Sequence, residues 1–175
     1  METIVVNLFG GPGSGKSTGA AYIFSQLKMR NINAELVTEF AKDKTWENNL
    51  EALKNQSYIF GKQSFRLSRL NGKVDVIITD APLINSIIYN NDEVLGDKFN
   101  EVVKNVHNSF TNYNVFIKRV KKYNISGRSQ TEEEAKLLDK KIKDILNKFD
   151  YTEVEGNVDG YNEIVSNIMK LISPL

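Results

Sequence analysis

Cysteine is missing from all 175 residues, which excludes disulfides, thiolate chemistry and cysteine-ligated zinc. Neither charge sign dominates: 23 Lys and Arg stand against 22 Asp and Glu, for a net charge of +1. That balance gives no global case for a protein that coats nucleic acid, although it leaves room for a local basic groove. No apolar run approaches the length of a membrane span. Low-complexity linkers and internal repeats are also missing. The amino terminus reads directly into a strand pattern with no leader, so the expected location is the cytoplasm, away from membranes. Histidine occurs once, at His107, in a helical pattern with no acidic partner at useful spacing. A surface histidine is expected there, not a catalyst. What remains is ordinary for a soluble domain, with 41% hydrophobic and 26% charged residues. The expectation is one domain over residues 1–175.

Against that plain background one segment stands out. Gly10-Gly11-Pro12-Gly13-Ser14-Gly15-Lys16-Ser17 is a full match to G-x-x-x-x-G-K-[ST], the P-loop or Walker A motif. Ile4-Val5-Val6-Asn7-Leu8-Phe9 leads into it as a buried strand would, and a helical pattern follows. The glycines permit a tight turn that aims backbone N–H groups inward. A helix starting near Lys16 adds its positive dipole end at the same spot. Lys16 would reach the β- and γ-phosphates of a triphosphate, and the Ser17 hydroxyl would hold Mg²⁺. The nucleotide-binding set is therefore Gly11, Pro12, Gly13, Ser14, Gly15, Lys16, Ser17 and Thr18. A chance glycine-rich turn would not need strand, loop and helix in this order.

Strand and helix patterns alternate along the rest of the chain. Strands are expected at 3–9, 34–38, 74–79, 114–118 and 151–154. A polar stretch at 42–45 should open a long helical region from 46 to 70, broken at Asn55 or Gly61 and capped at Asn71-Gly72. Further helices are expected at 83–89 and 96–110. A basic loop at 121–130 precedes two candidate capping boxes, Ser129 with Glu132 and Thr131 with Glu134. Five strands alternating with helices predict a parallel sheet covered on both faces. Ligands of such sheets lie at the carboxyl ends of the strands. The P-loop, Glu39, Asp80 and the basic loop follow the first four strands, so all should face one crevice. Asp80 ends an apolar strand, as a Walker B acid does, and could hold Mg²⁺ through water or contact an acceptor.

With these residues in view, the chain resembles P-loop kinases of the nucleoside and nucleoside-monophosphate kinase group. Its loop is similar to that of adenylate kinases. Glu39 with Trp46 after the second strand, the helix bearing Gln56, Gln63, Arg66 and Arg69, and Arg119 and Arg128 ahead of Glu132-Glu133-Glu134 resemble nucleoside kinases. Small ribosylnicotinamide kinases share the layout. The Glu-Arg-Ser segment of many deoxynucleoside kinases is replaced here by Asp80-Ala81-Pro82, and the lid is short and poor in arginine. The resemblance implies a P-loop NTPase three-layer α/β sandwich, with a five-stranded parallel sheet, helices on both faces and a short lid at about 119–131. It implies ATP with Mg²⁺ as cofactors and a small nucleoside, nucleotide or nucleoside-like acceptor. Lys16, Glu39, Asp80 and Arg128 form the implied catalytic set, with Ser17 and Asp80 as metal ligands. Glu39 is the implied general base, and Asp43 is second choice. Arg128 is the implied lid arginine beside the hinge Gly127, with Arg119, Lys121 and Lys122 able to share its task. A homodimer is left open.

Several residues carry weaker readings. Gln56, Gln63 and Arg66 could read a base or sugar edge, but an exposed polar stripe is preferred. Trp46 and Tyr58 could stack on a base, but core packing is preferred. Asn147-Lys148-Phe149-Asp150 matches a guanine-reading pattern, and it is rejected because it falls in a helical pattern and not in a loop after a strand. The adenine pocket is assigned to residues 155–158, with the lid helix as its other wall. The alternative functions are 5′-hydroxyl phosphorylation of nucleic-acid ends, using Lys62, Arg66, Arg69 and Lys73 as a basic groove, and an ATPase or nucleotide switch acting on a protein partner.

Overall fold

β1 (Ile4–Phe9) is buried along its whole length, as a strand with neighbours on both sides and helices on both faces must be. In the computed structural model, which describes residues 2–120 and 131–172, it is the centre of a five-stranded parallel sheet. Its neighbours are β3 (Val76–Thr79) and β4 (Thr111–Lys118); β2 (Ala34–Val37) and β5 (Thr152–Glu155) form the edges, giving the order β2-β3-β1-β4-β5. The expected α/β sandwich is thus the observed one. The basic segment 121–130, which carries Arg128, Lys121, Lys122, Ser129 and most of the expected lid, lies outside the described residues.

The alternation of β1 sorts the helices. Ile4, Val6 and Leu8 face α1 (Lys16–Met29) and α8 (Val158–Ile172), packing with Ile23, Leu27, Ile164 and Ile168. Val5 and Phe9 face the opposite layer. There α4 (Gln56–Ser68), α6 (Gly96–Asn108) and α7 (Glu132–Leu146) contribute Phe60, Leu67, Phe99, Val103, Ile142 and Leu146. The chain leaves β1 in one direction to reach β2, then reverses through β3, β4 and β5. Right-handed crossovers in opposite directions put helices on opposite faces. Asn7 is the polar exception in β1. Its buried amide donates to Asn112 Oδ1 at 2.8 Å and Asn114 Oδ1 at 3.1 Å, so the central strand carries no orphaned donor there.

The region after β2 differs from expectation. Helix begins at once, as α2 (Phe40–Trp46), so residues 42–45 are helical and not a polar lead-in. Asn48 adopts a left-handed φ of 54° between α2 and α3 (Leu50–Lys54). Of the two expected breaks only Asn55 is real. It ends α3 and caps α4, its side chain accepting from Tyr58 N–H at 3.0 Å, while Gly61 continues the helix. A short α5 (Asn85–Tyr89) follows β3. The Thr131–Glu134 capping box forms as read: Glu134 N–H donates to Thr131 Oγ1 at 3.2 Å and Thr131 N–H to Glu134 Oε2 at 2.7 Å.

Two aromatic readings are corrected. His107 is buried, not on the surface; its ring packs edge-on against Phe149 at 5.3 Å, and burial pushes its pKa down to about 4. It faces the core because α6 turns Phe99, Val103 and His107 to one side at four-residue spacing. Trp46 is 74% exposed, because α2 ends there with its ring pointing outward, so it does no core packing.

Candidate active site

The P-loop lies between the end of β1 and the start of α1, at the carboxyl edge of the sheet. Gly15 stands ahead of α1 with φ 101°, a left-handed value that a side chain rarely adopts. Among the described residues no side chain caps this helix, and no acid occupies its first turn, so its leading N–H groups and positive dipole end suit an anion. Ser17 and Thr18 are exposed in that first turn, whereas Ser14 is buried. The loop is braced from outside. The Tyr161 hydroxyl of α8 donates to the Gly15 carbonyl at 3.0 Å. On the other flank Gly11 N–H donates to Asp139 Oδ1 of α7 at 2.6 Å, and Gly11 has no room for a side chain against Asp139 and the Ala135 carbonyl. Arg119, just past β4, donates to the Pro12 carbonyl at 3.0 Å and pairs with Asp139 at 3.0 Å.

Lys16 folds over its own loop, donating to the carbonyls of Gly10 at 2.6 Å and Gly11 at 3.1 Å. Burial lowers its pKa, against the pull of Glu39, Asp80 and Asp139, which raises it. The next residue, Ser17, donates through Oγ to Asp80 Oδ2 at 2.6 Å. Asp80 Oδ1 is buried and finds no hydrogen-bond partner among the described residues. An unpaired carboxylate oxygen beside a hydroxyl is a hard-oxygen pair that fits Mg²⁺, which favours one or two protein oxygens plus phosphates. Among the described residues no three acidic or histidine side chains gather into a self-sufficient metal site. The donor set therefore fits a cation that arrives with phosphate oxygens.

Glu39 stands between β2 and α2 and shares this crevice with Lys16 and Asp80. Burial raises its pKa; Lys16 pulls it down, and Asp80 pushes it further up. Tyr89, ending α5, is in the same corner, its phenol pushed up by burial and by the Glu39 charge. The structure thus brings together Lys16, Ser17, Glu39 and Asp80, residues far apart in the chain. Arg128 lies outside the described residues. Asp43, the second choice, has its carboxylate engaged by Arg66 at 2.6 Å on α2.

Gln63 and Arg66 are not the exposed stripe expected of them. Gln63 is buried and grips the backbone on both sides of Glu39, accepting from Phe40 N–H at 2.9 Å and donating to the Thr38 carbonyl at 3.3 Å. Arg66 donates to the same Thr38 carbonyl at 3.1 Å. Gln56 bonds the Leu53 carbonyl at 3.2 Å, within the α3–α4 turn. Tyr58 is exposed and not packed in the core as expected, because it lies on the outer side of α4, where its ring meets Phe40 edge-on at 5.5 Å. The sequence reading also passed over Asp139, Tyr161 and Tyr89 as site residues. The hydrogen bonds of Asp139 and Tyr161 to the loop span 128 and 146 positions, beyond the reach of any local pattern. Past β5, Gly156 lies against the Ser14 and Lys118 backbones, so the segment assigned to adenine abuts the P-loop. Residues 147–150 form the turn after α7, at the amino end of β5, so the guanine-reading pattern is away from the crevice.

A parallel α/β sheet with this loop after its central strand, and a strand-end acid bonded to the loop serine, defines a P-loop NTPase fold. The chain belongs to the AAA domain family, whose model matches residues 5–163. The fold is shared with the crystal structure of thymidylate kinase from Ehrlichia chaffeensis, at a TM-score of 0.64 and 15% sequence identity, covering 99% of this chain and 100% of that one. No curated protein matches the sequence. Among the described residues no helix is long and apolar enough to cross a membrane.

Proposed function

We propose that the chain is a single-domain ATP-dependent phosphotransferase that moves the γ-phosphoryl of Mg-ATP to a hydroxyl of a nucleoside, nucleotide or nucleoside-like small molecule. The observation that carries this reading is the meeting of a half-buried Glu39, whose pKa desolvation raises, with Lys16 and the Ser17–Asp80 pair in one crevice. The free N–H groups of α1 and Lys16 hold the β- and γ-phosphates. Bound through Ser17 and Asp80 together with phosphate oxygens, Mg²⁺ would neutralise phosphate charge. Glu39 orients the acceptor hydroxyl and takes its proton as the new O–P bond forms and the β,γ-bridging bond breaks, releasing ADP. Arg128 closes over the transferring group from the lid at about 119–131.

A hydroxyl acceptor is favoured over a phosphate because Arg66, the arginine beside the Glu39 loop, is committed to Thr38 and Asp43. The thymidylate kinase of shared fold keeps nucleoside monophosphates within the acceptor class to be tested. The test is transfer from γ-labelled ATP to nucleosides, monophosphates, ribosylnicotinamide and oligonucleotide 5′ ends. Label on a nucleoside-like hydroxyl, lost in Glu39→Gln while ATP still binds, is the expected result. ATP turnover that needs a protein partner and labels no small acceptor would overturn it.

A further inference from the structure

Outside the crevice, a groove of about 450 Å³ runs between β2 and the outer face of α4. From α4 it is lined by Tyr58, Lys62, Phe65, Arg66 and Arg69, which the helix period places on one side. β2 supplies its other wall through Leu36 and Val37. Phe65 is 65% exposed and Tyr58 39%, too open for core residues. Lys62 lies over the Tyr58 ring at 5.6 Å, and Arg66 lies over Phe40 at 5.1 Å. The acid facing the groove is Asp43, already paired with Arg66. Lys62 and Arg69 make no ion pair among the described residues, so the groove keeps a positive excess in a nearly neutral chain.

We infer that this groove binds a short single-stranded segment of nucleic acid, its phosphates on Lys62 and Arg69 and its bases against Tyr58 and Phe65. Cations interleaved with open aromatic rings suit that ligand, because every base offers a π-face and every link a negative charge. An acidic peptide adding to the β2 edge fits less well. β2 spans only four residues, and the Thr38 carbonyl that follows it already accepts from both Gln63 and Arg66. The groove shares Thr38, Phe40 and Arg66 with the wall that carries Glu39, but its lining does not include Glu39, Lys16 or Asp80, so its test is run without ATP and its failure would leave the phosphotransfer reading standing.

The probe is a labelled oligothymidylate of about 12 nucleotides, titrated by anisotropy between about 50 and 200 mM salt. Two phosphate contacts predict a log–log salt slope of about −1.4, and Lys62→Ala and Arg69→Ala should each reduce it by about 0.7. Tyr58→Ala and Phe65→Ala should weaken binding about fivefold or more with the slope unchanged. These side chains are open to solvent, and a melting transition checks that each variant is folded. No binding at about 50 mM salt overturns the inference, as does binding whose slope survives the double Lys62→Ala, Arg69→Ala change. Equal affinity for free thymidine monophosphate, or for an acidic peptide insensitive to Tyr58→Ala, also overturns it.

Discussion

The two walls of the crevice are anchored differently. The phosphate wall springs from β1, a fully buried strand with a neighbour on each side. It is braced from three places at once: Arg119 past β4, Asp139 on α7 and Tyr161 on α8. The wall carrying Glu39 springs from β2, an edge strand, and leads into short helices. It is held by two side chains of one helix, Gln63 and Arg66. A wall with many supports presents a fixed cradle. A wall with few can adjust its carboxylate to an acceptor. Substitutions on the first should change nucleotide binding, and those on the second should change turnover.

The largest effect belongs to Lys16→Ala. On the proposed reading, removing the ammonium that would face the transferring phosphoryl should cut phosphotransfer by about 10³-fold or more, measured in single turnover with labelled ATP. Glu39→Gln comes next, with a loss of about 10²–10⁴-fold and little change in the calorimetric affinity for Mg-ATP. Its pH profile sharpens the contrast. The proposed base works ionised, and desolvation raises its pKa, so the rate of the natural protein should fall as pH drops through that raised value. Glu39→Gln should lose this acid limb. An acid limb that persists would move the base elsewhere.

This division also explains what could be read in advance. The strand, loop and helix of the first wall were legible because its eight key residues are contiguous and their spacing fixes the turn between β1 and α1. Asp80 and Glu39 were locatable because parallel topology sends every strand end to one edge. The supports were not legible. Gln63 meets its partners from 23 and 25 positions away, and only the folded chain shows that its amide faces inward. His107 was misread for a related reason. Its burial is set by how α6 rotates onto the sheet, and the packing partner Phe149 lies beyond β4. Trp46 failed in the opposite direction, because a helix of seven residues can end with its last ring in solvent.

Gln63→Leu tests the sparse wall. The change keeps the bulk but leaves Phe40 N–H unpaired inside the protein, while Arg66 still serves the Thr38 carbonyl. A stability loss of about 1–3 kcal/mol is expected in urea denaturation. The Glu39 loop should loosen with it, lowering kcat about tenfold while Mg-ATP affinity stays put. A variant with lost stability and natural kcat would show that Gln63 serves the fold alone.

Asp139 offers the smallest effect, because the phosphate wall does not depend on one brace. Asp139→Ala removes the acceptor of Gly11 N–H and the partner of Arg119, yet Tyr161 still holds Gly15 and Arg119 can still reach Pro12. The value of one hydrogen bond predicts a two- to tenfold rise in the Kd for Mg-ATP, read by calorimetry. Asp139→Asn keeps an acceptor for Gly11 and drops only the charge, so it should fall between Ala and the natural residue. The carboxylate also repels an incoming triphosphate, and that effect has the opposite sign. If Asp139→Asn binds Mg-ATP more tightly than the natural protein, charge outweighs bracing at this position. If Asp139→Ala instead loses affinity by about 10³-fold, the Gly11 contact is a sole support, and the contrast between a redundantly braced wall and a sparsely held one fails.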